Sequence, residues 1–273
     1  MPPFFSIIVP ALNEEICLPK ILRDLQRQKE KDFEVIVVDA LSTDKTKEKA
    51  TEFKPVLPLR FFQVDKKNVA YSRNFGAKKA QGEYLIFLDA DSRIKPSFVK
   101  ILKKAVYKKK GLLFIPYIIA DESDQQTKII FKLVNFLIEF SQYLNKPFSS
   151  GGNMIVERNF FGKLGGFDEK LFIAEDHNLI QKAQRWGVKT KFIHKVVVKF
   201  SLRRMRREGQ LTILYKYLVA TIHVLVAGGV KNKIFTYQMG GQDNLPIKRK
   251  ISSNGSLGDA LHQVQNFFRK YLS

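Results

Sequence analysis

Four short apolar runs recur in the N-terminal part of the chain, with amphipathic stretches between them. They cover residues 4–10, 33–39, 59–64 and 84–89. The runs FFSIIVP and FEVIVVD are continuous rather than alternating. That pattern is typical of strands whose two faces are both buried in a sheet. The pattern therefore predicts four central strands.

The stretches between the runs carry apolar residues at helical spacing. Ile21, Leu22 and Leu25 share one face of the first stretch, and Pro19 fits its opening turn. The other predicted helices cover residues 45–53, which Ser42, Thr43 and Asp44 can cap, then 68–80 and 96–107. This repeated strand–helix order predicts an α/β fold with a mostly parallel central sheet and helices on both faces.

The second half of the chain is less regular. The expected elements are helices over residues 128–144, 158–166 and 175–186, and strands over 154–156 and 190–200. Residues 211–230 then form a long apolar stretch between basic flanks, and residues 261–271 have the spacing of a short amphipathic helix. The pattern therefore predicts a helical region at the C-terminal end.

Polar side chains follow three of the predicted strands. They are Asn13 and Glu14 after the first strand, Asp39 at the end of the second, and Asp89 and Asp91 after the fourth. Ligands of open parallel sheets bind at the carboxyl ends of the strands. The sequence therefore predicts a binding site at that edge of the sheet.

Asp89 and Asp91 are the candidate metal ligands. Two carboxylates one residue apart, directly after a buried strand, can share one hard cation, with phosphate oxygens completing its shell. Mg²⁺ or Mn²⁺ would neutralise charge on a leaving diphosphate there. An isolated Asp-x-Asp is more often a surface turn, so the position after a buried strand carries this interpretation.

Composition narrows the class of protein. The chain has 273 residues, 45% of them apolar, and a formal net charge of +21. That excess indicates an anionic partner, which is a nucleic acid, a phosphorylated substrate or an anionic membrane. A single cysteine, Cys17, gives no disulfide framework. The first apolar run is too short for a secretory signal, so a cytoplasmic location is expected.

Other classes fit the motifs poorly. A dehydrogenase needs Gly-x-Gly-x-x-Gly after a strand, and a sugar nucleotidylyltransferase needs a glycine-rich phosphate loop after the first strand; PALNE at residues 10–14 is neither. A basic nucleic-acid-binding protein remains the alternative from a different class. Carboxylates at strand ends would repel its phosphates in the absence of a metal, so no nucleic acid partner is expected.

Six motifs in order carry a family resemblance. They are PALNE at 10–14, VDALSTD at 38–44, RNFG at 73–76, GEYLIFLDAD at 82–91, GGFDE at 165–169 and ED at 175–176. The chain resembles glycosyltransferase family 2 over about residues 4–207. The resemblance implies a GT-A fold and metal-dependent inverting transfer from a nucleotide-sugar, with a UDP-sugar favoured.

The resemblance also implies roles for single residues. On the donor side it assigns Pro10, Asn13 and Glu14 to the nucleotide pocket, Asp39 to the base or ribose, Arg73 to the diphosphate or base, and Asp89 to both donor and metal. Arginine suits bidentate contacts with phosphate. Three family positions differ: Ala40 and Leu41 replace an acid and a glycine that commonly follow Asp39, and Arg93 stands where polyprenyl-phosphate mannose synthases often have an amide.

On the acceptor side, the resemblance makes Asp176 the general base, which takes the acceptor hydroxyl's proton. Glu175 would orient acceptor or metal, although acids also favour a helix start through its dipole alone. Gly152 and Asn153 would lie beside the donor sugar. Arg203 and Arg204 would contact the diphosphate or an anionic lipid head.

The predicted organisation is a GT-A domain over residues 1–207, with a nucleotide-sugar half over 1–110 and an acceptor half over 111–207. A C-terminal helical region over 208–273 follows. Residues 211–230 are long enough to span a membrane, but Lys216 and His223 interrupt them. Lying on an anionic membrane surface, packing in a core or dimer contact, and spanning all remain open. The acceptor is a sugar or lipid-linked hydroxyl, and a polyprenyl-phosphate sugar transferase is an alternative.

Overall fold

A computed structural model describes residues 1–121, 125–142, 147–149, 151–171 and 174–203. Its strands are β1 (Phe5–Ala11), β2 (Phe33–Asp39), β3 (Leu59–Gln63), β4 (Tyr84–Phe87), β5 (Arg93–Ile94), β6 (Leu113–Ala120), β7 (Met154–Glu157) and β8 (Lys191–Phe200). Its helices are α1 (Leu18–Gln26), α2 (Thr46–Thr51), α3 (Val69–Lys79), α4 (Phe98–Lys109), α5 (Gln125–Ser141), α6 (Arg158–Lys163) and α7 (Glu175–Arg185). Arg204 and the predictions for residues 208–273 lie outside the described residues.

The described strands form one mixed sheet in the order β3-β2-β1-β4-β7-β6-β8-β5. The N-terminal half is parallel as predicted, because β1 pairs in parallel with both β2 and β4, and β2 with β3. β7 is antiparallel to β4 and β6, and β5 is antiparallel to β8. The carboxyl ends of β1, β2 and β4 therefore share one edge of the sheet.

Both faces of the central strands are buried, which explains their continuous apolar runs. In β1, Ile7 and Val9 pack in the cluster that contains the apolar faces of α1 and α4. Their neighbour Ile8 packs on the other side with residues of α3 and α7. Successive side chains of a strand point to opposite faces, so a strand that is covered on both sides is apolar at most of its positions.

The sequence pattern does not predict β5 or β6. β5 has only two residues, and it exists because Arg93 and Ile94 pair with Lys199 and Val198 of β8, far along the chain. Arg93 also forms a bidentate ion pair with Asp24 of α1, with Nε–Oδ2 and Nη2–Oδ1 distances of 2.6 and 2.9 Å. This ion pair therefore links α1 to the end of the Asp89–Asp91 turn.

The turn after β2 corrects one detail of the predicted capping. Helix α2 has Lys45 at its N-cap and no side-chain cap, although Asp44 accepts a hydrogen bond from the Thr46 amide at 3.0 Å. Ser42 instead donates its hydroxyl and its amide to Asp39. The adjoining Leu41 has φ +62°, a left-handed conformation that favours glycine and suits the family's usual residue at this position.

Candidate active site

The edge of the sheet at β1, β2 and β4 brings the predicted residues together in three groups. Two are organised by arginines. The Arg73 cluster comprises Arg73, Asp89, Gly152, Glu175 and Asp176, and the Arg203 cluster comprises Arg203, Glu14 and Asp91. The third group lies at the end of β2 around Asp39.

Arg73 of α3 joins two motifs that are far apart in the sequence. Its Nη2 lies 2.7 Å from Oδ1 of Asp89, and its Nη1 lies 2.5 Å from Oε1 of Glu175. The guanidinium is 5.5 Å from the ring centroid of Phe167, within cation–π distance. Arg73 is only 3% exposed, so its charge is balanced by these acids rather than by water.

Gly152 leaves the space that the Arg73 guanidinium occupies. A Cβ atom at this position would lie 1.9 Å from Nη2 and 2.1 Å from Cζ of Arg73. Any larger residue would have to displace the guanidinium from Asp89 and Glu175. The position predicted to face the donor sugar therefore also has a packing reason to be glycine.

Asn74, the next residue of α3, holds the GGFDE segment. Its Nδ2 donates to the Phe167 carbonyl and to Oε1 of Glu169, both at 2.9 Å, and its Oδ1 accepts from the Phe167 amide at 2.9 Å. Gly76, two residues further, lies so close to Ile8 of β1 that a Cβ would be 2.5 Å from Cγ2. The Arg-Asn-x-Gly motif thus ties β1, β4 and the two later motifs into one unit.

Asn153 supports the Asp89–Asp91 turn. Its Oδ1 accepts hydrogen bonds from the Asp89 amide at 3.3 Å and from the Ser92 hydroxyl at 3.2 Å. Its buried Nδ2 has no hydrogen-bond partner among the described residues. Buried polar groups are rarely left unsatisfied, so this donor points to a ligand with acceptor oxygens.

Asp176, at the start of α7, is held by two residues to which the sequence interpretation gave no role. Ser149 donates its hydroxyl to Oδ2 of Asp176 at 2.5 Å. Nε2 of His177 donates to the Ser149 carbonyl at 2.8 Å and lies 3.9 Å from the same Oδ2. The small-residue loop before β7 was the available signal for Ser149, but only the fold places it against α7.

The two adjacent acids have opposite pKa shifts. Burial raises the pKa of Glu175, and the charge of Asp176 adds to this against the opposing effect of Arg73. Burial also acts to raise the pKa of Asp176, but His177, the Ser149 hydrogen bond and Arg73 together outweigh it, so that pKa is lowered. Asp176 is therefore the acid of the pair that remains ionised and able to accept a proton.

In the Arg203 cluster, one guanidinium nitrogen bridges two acids. Nη2 of Arg203 lies 3.0 and 3.1 Å from the carboxylate oxygens of Glu14 and 3.0 Å from Oδ2 of Asp91. Within the described part of the chain, Nε and Nη1 of Arg203 are buried without a hydrogen-bond partner. These two donors can bind a further anion without releasing the acids.

The β2 end carries the remaining predicted donor residues. Asp39 is fully buried, and it accepts from the Ser42 amide and from Nε2 of Gln63, both at 3.2 Å. Asn13 adopts φ +54°, and its Oδ1 accepts from the Thr43 amide at 2.8 Å. Pro10 is a half-buried residue of β1. These contacts fix the two loops that would border a base and ribose.

The Asp89–Asp91 turn fits a hard divalent cation. The two carboxylate side chains are 27% and 29% exposed, so they remain open to a ligand. No group of three or more acidic, cysteine or histidine side chains among the described residues could hold a metal by itself. Mg²⁺ and Mn²⁺ often take only one or two carboxylates and fill their shell with phosphate oxygens and water. The donor set is therefore of the kind that a metal shares with a bound diphosphate.

Comparison with known proteins identifies the family. Residues 6–165 match the profile described as Glycosyl transferase family 2, which covers more than half of the chain. The chain belongs to glycosyltransferase family 2. The profile ends before Glu175, Asp176 and Arg203, so those assignments depend on the geometry described above.

Curated relatives are glycosyltransferases from bacteria. An uncharacterized glycosyltransferase of Haemophilus influenzae is 28% identical over 180 residues, which is 65% of this chain and 60% of the relative. A PGL/p-HBAD biosynthesis glycosyltransferase of Mycobacterium bovis is 26% identical over 209 residues, covering 73% of this chain and 77% of the relative. The chain thus spans less than two thirds of the length of the first relative.

Solved structures show the same fold. The Staphylococcus aureus TarS 1-349 complex with UDP-GlcNAc matches with a TM-score of 0.59 and 22% identity over 74% of this chain and 58% of TarS 1-349. A mannosyltransferase of Pyrobaculum calidifontis in complex with GDP-Man and Mn²⁺ matches with a TM-score of 0.60 and 20% identity over 80% of this chain and 65% of its own. The predicted GT-A fold is confirmed.

Proposed function

We propose that this glycosyltransferase moves a sugar from a nucleotide diphosphate donor to an acceptor hydroxyl, with inversion at the anomeric carbon. The observation that carries the proposal is the bridge from Arg73 to Asp89 and Glu175. This bridge places the acidic turn after β4 beside the acidic pair at the start of α7. These two acidic groups would supply a leaving-group side and a base side within one cluster.

On the leaving-group side, positive and metal-binding groups face the same region. Asp89 and Asp91 would hold Mg²⁺ or Mn²⁺, which when bound supplies Lewis-acid stabilisation of the diphosphate. Arg203 contributes two unpartnered guanidinium nitrogens, and Asn153 contributes its free amide donor. These donors suit oxygen atoms of a diphosphate and of the donor sugar. Asn13, Glu14 and Asp39 shape the loops toward the nucleoside.

On the acceptor side, Asp176 is the general base. An in-line displacement needs a carboxylate that accepts the hydroxyl proton as the new bond forms. The lowered pKa of Asp176 keeps it ionised, and the hydrogen bond from Ser149 fixes its orientation. Glu175 is committed to Arg73 and acts as a positioning residue rather than as the base.

A thermal-shift panel tests the donor assignment. Nucleotide-sugars, including UDP-GlcNAc and GDP-Man, are added to the full chain with Mn²⁺, Mg²⁺ or EDTA. A selective ligand at 100 times its Kd stabilises the folded state by about 2.7 kcal/mol, and we expect this only for a UDP-sugar and only with metal present. Asp91→Asn should abolish the increase in melting temperature that depends on metal. If every nucleotide-sugar leaves the melting temperature unchanged, the proposal is wrong. An undiminished shift in EDTA would refute metal dependence alone.

A further inference from the structure

Helix α5 carries an apolar stripe on its exposed side. The five side chains of the stripe are 44–61% exposed, and they are Ile129, Leu133, Phe136, Leu137 and Phe140. At 3.6 residues per turn they fall within about 100° of one another. The rings of Phe136 and Phe140 stack with centroids 5.9 Å apart. Isolated exposed apolar residues are common, but a continuous stripe of this kind marks an interaction surface.

The stripe cannot turn inward, because the opposite face of α5 is fixed. Asn135 is buried there, and its side chain binds the backbone of Ile118 in β6 through two hydrogen bonds of 2.7 and 3.0 Å. Ile138 and Phe131 on the same face are buried in the core clusters. Rotating the helix would break these contacts and strand a buried amide. The exposure of the stripe is therefore built into the packing of α5.

We propose that the stripe docks on an anionic lipid surface, and that the acceptor at the Asp176 side of the site is lipid-linked; the second part rests on the proposed function. Lys128 and Lys132 are exposed on the same flank of the stripe. Glu139 lies on that flank too, paired with His194 at 3.0 Å. Lysine is depleted in protein interfaces but favours anionic headgroups beside an apolar helix face. Two copies that each carry +21 also repel one another.

The C-terminal end of α5, next to Phe140, is linked to the acceptor side of the site by three contacts. Helix α5 ends at Ser141, whose hydroxyl accepts a hydrogen bond from the Phe148 amide at 3.2 Å. The Phe148 ring lies 5.9 Å from the His177 ring, and the next residue, Ser149, binds Asp176. A lipid surface under Phe140 therefore adjoins the candidate base. In this proposal, an acceptor hydroxyl carried by a lipid would approach the buried Asp176 from the α5 side.

Vesicle co-sedimentation of the full chain tests the surface. The probes are vesicles of phosphatidylglycerol mixed with phosphatidylcholine, and of phosphatidylcholine alone. We expect binding to the anionic vesicles. Binding should be about 10- to 100-fold weaker for Phe136→Asp, since an aromatic side chain that the lipid would bury is replaced by a charge. The matched control is Val56→Asp, which changes the net charge equally at a residue 51% exposed. Val56 lies next to Phe53 and Leu57 in the sequence, and these two residues pack in the core cluster on the face of the sheet that α1 and α4 cover.

Four results would overturn the lipid surface. The first three are no binding by the parent chain, equal losses for Phe136→Asp and Val56→Asp, and a parent dimer that Phe136→Asp converts to a monomer in light scattering. The third result would assign the stripe to a second copy. Parental binding by Phe136→Asp would equally overturn it, by showing that the stripe is covered from within the chain.

A labelled transfer assay tests the acceptor class. The nucleotide-sugar selected by the thermal-shift panel is incubated with enzyme and a total lipid extract, and label is counted after solvent partition. We expect label in the organic phase, reduced by Phe136→Asp while donor binding by calorimetry is unchanged. Label confined to the aqueous phase would overturn the lipid-linked acceptor. Absence of donor binding in the parent chain would instead refute the proposed function. The vesicle co-sedimentation would still test the lipid surface independently.

Discussion

Two arginines organise the candidate active site, and the protein holds them differently. Arg73 is 3% exposed and lies between Asp89 and Glu175, with Gly152 leaving it just enough room. The side chain of Arg203 is 21% exposed, and a single nitrogen makes its contacts with Glu14 and Asp91. Its other two guanidinium nitrogens have no partner among the described residues.

We interpret the difference as separating an arginine with a structural role from one that binds a ligand. Breaking a buried ion pair leaves an uncompensated charge, so the Arg73 cluster should contribute to stability as well as to activity. A guanidinium with two buried, unpartnered donors gains hydrogen bonds when it binds a phosphate. We therefore expect changes in the Arg73 cluster to reduce turnover or folding, and changes in the Arg203 cluster to reduce donor affinity.

The largest expected effect is that of Asp176→Asn. Removing the base should lower kcat by about 10²- to 10⁴-fold, because proton transfer in the transition state is lost. Donor affinity measured by calorimetry should stay within a few-fold, because the base acts only on the acceptor. Loss of donor binding together with activity would place Asp176 on the donor side. The Arg73 and Arg203 clusters would then no longer differ in function.

Gly152→Ala should be the most destabilising change in the Arg73 cluster. The new Cβ would force the guanidinium away from Asp89 and Glu175, which should lower the free energy of unfolding by about 3–5 kcal/mol, the range for breaking a buried pair. Denaturant unfolding measures it. Gly162→Ala is the matched control, because a Cβ there meets nothing within 4 Å, and it should be neutral or stabilising by up to about 1 kcal/mol. Equal stabilities for the two variants would show that Arg73 is not confined.

Arg203→Ala should weaken donor binding by about 10- to 100-fold, since hydrogen bonds to charged groups contribute about 1.5–3 kcal/mol. Its effect on the free energy of unfolding should be smaller than that of Gly152→Ala. Isothermal titration with the selected nucleotide-sugar and metal gives the first quantity, and urea unfolding gives the second. A variant that binds donor normally but unfolds easily would make Arg203 a structural residue like Arg73.

The smallest expected change is a shift in the pH profile of Ser149→Ala. The Ser149 hydroxyl stabilises the ionised form of Asp176, so its removal should raise that pKa. In the proposed mechanism activity requires ionised Asp176, so the acid limb of kcat should move to higher pH, with only a few-fold loss above the limb. Ser149→Thr keeps a hydroxyl and should restore the parental limb. An unmoved limb in Ser149→Ala would mean that another group controls it.

The sequence by itself determined the N-terminal half of the fold. Continuous apolar runs predict strands buried on both faces, and β2 begins and ends where its run does. The acids after β4 could be found as well, because they stand next to a strong local signal, whereas the pair at the start of α7 was found through the family resemblance. Local signals also misled: Ser42 was predicted to cap α2, but it binds Asp39, since the left-handed turn at Leu41 brings its hydroxyl back to β2.

Only the tertiary structure decided which of these residues meet. The ion pairs of Arg73 and Arg203 connect residues separated by 16 to 189 positions, and no spacing rule specifies such contacts. Ser149 and His177 became part of the site because the loop before β7 packs on the start of α7. β5 likewise exists only through its partner β8. The physical reason is common to all three: local patterns fix the period of burial along one segment, whereas partners across the sheet depend on how whole elements pack.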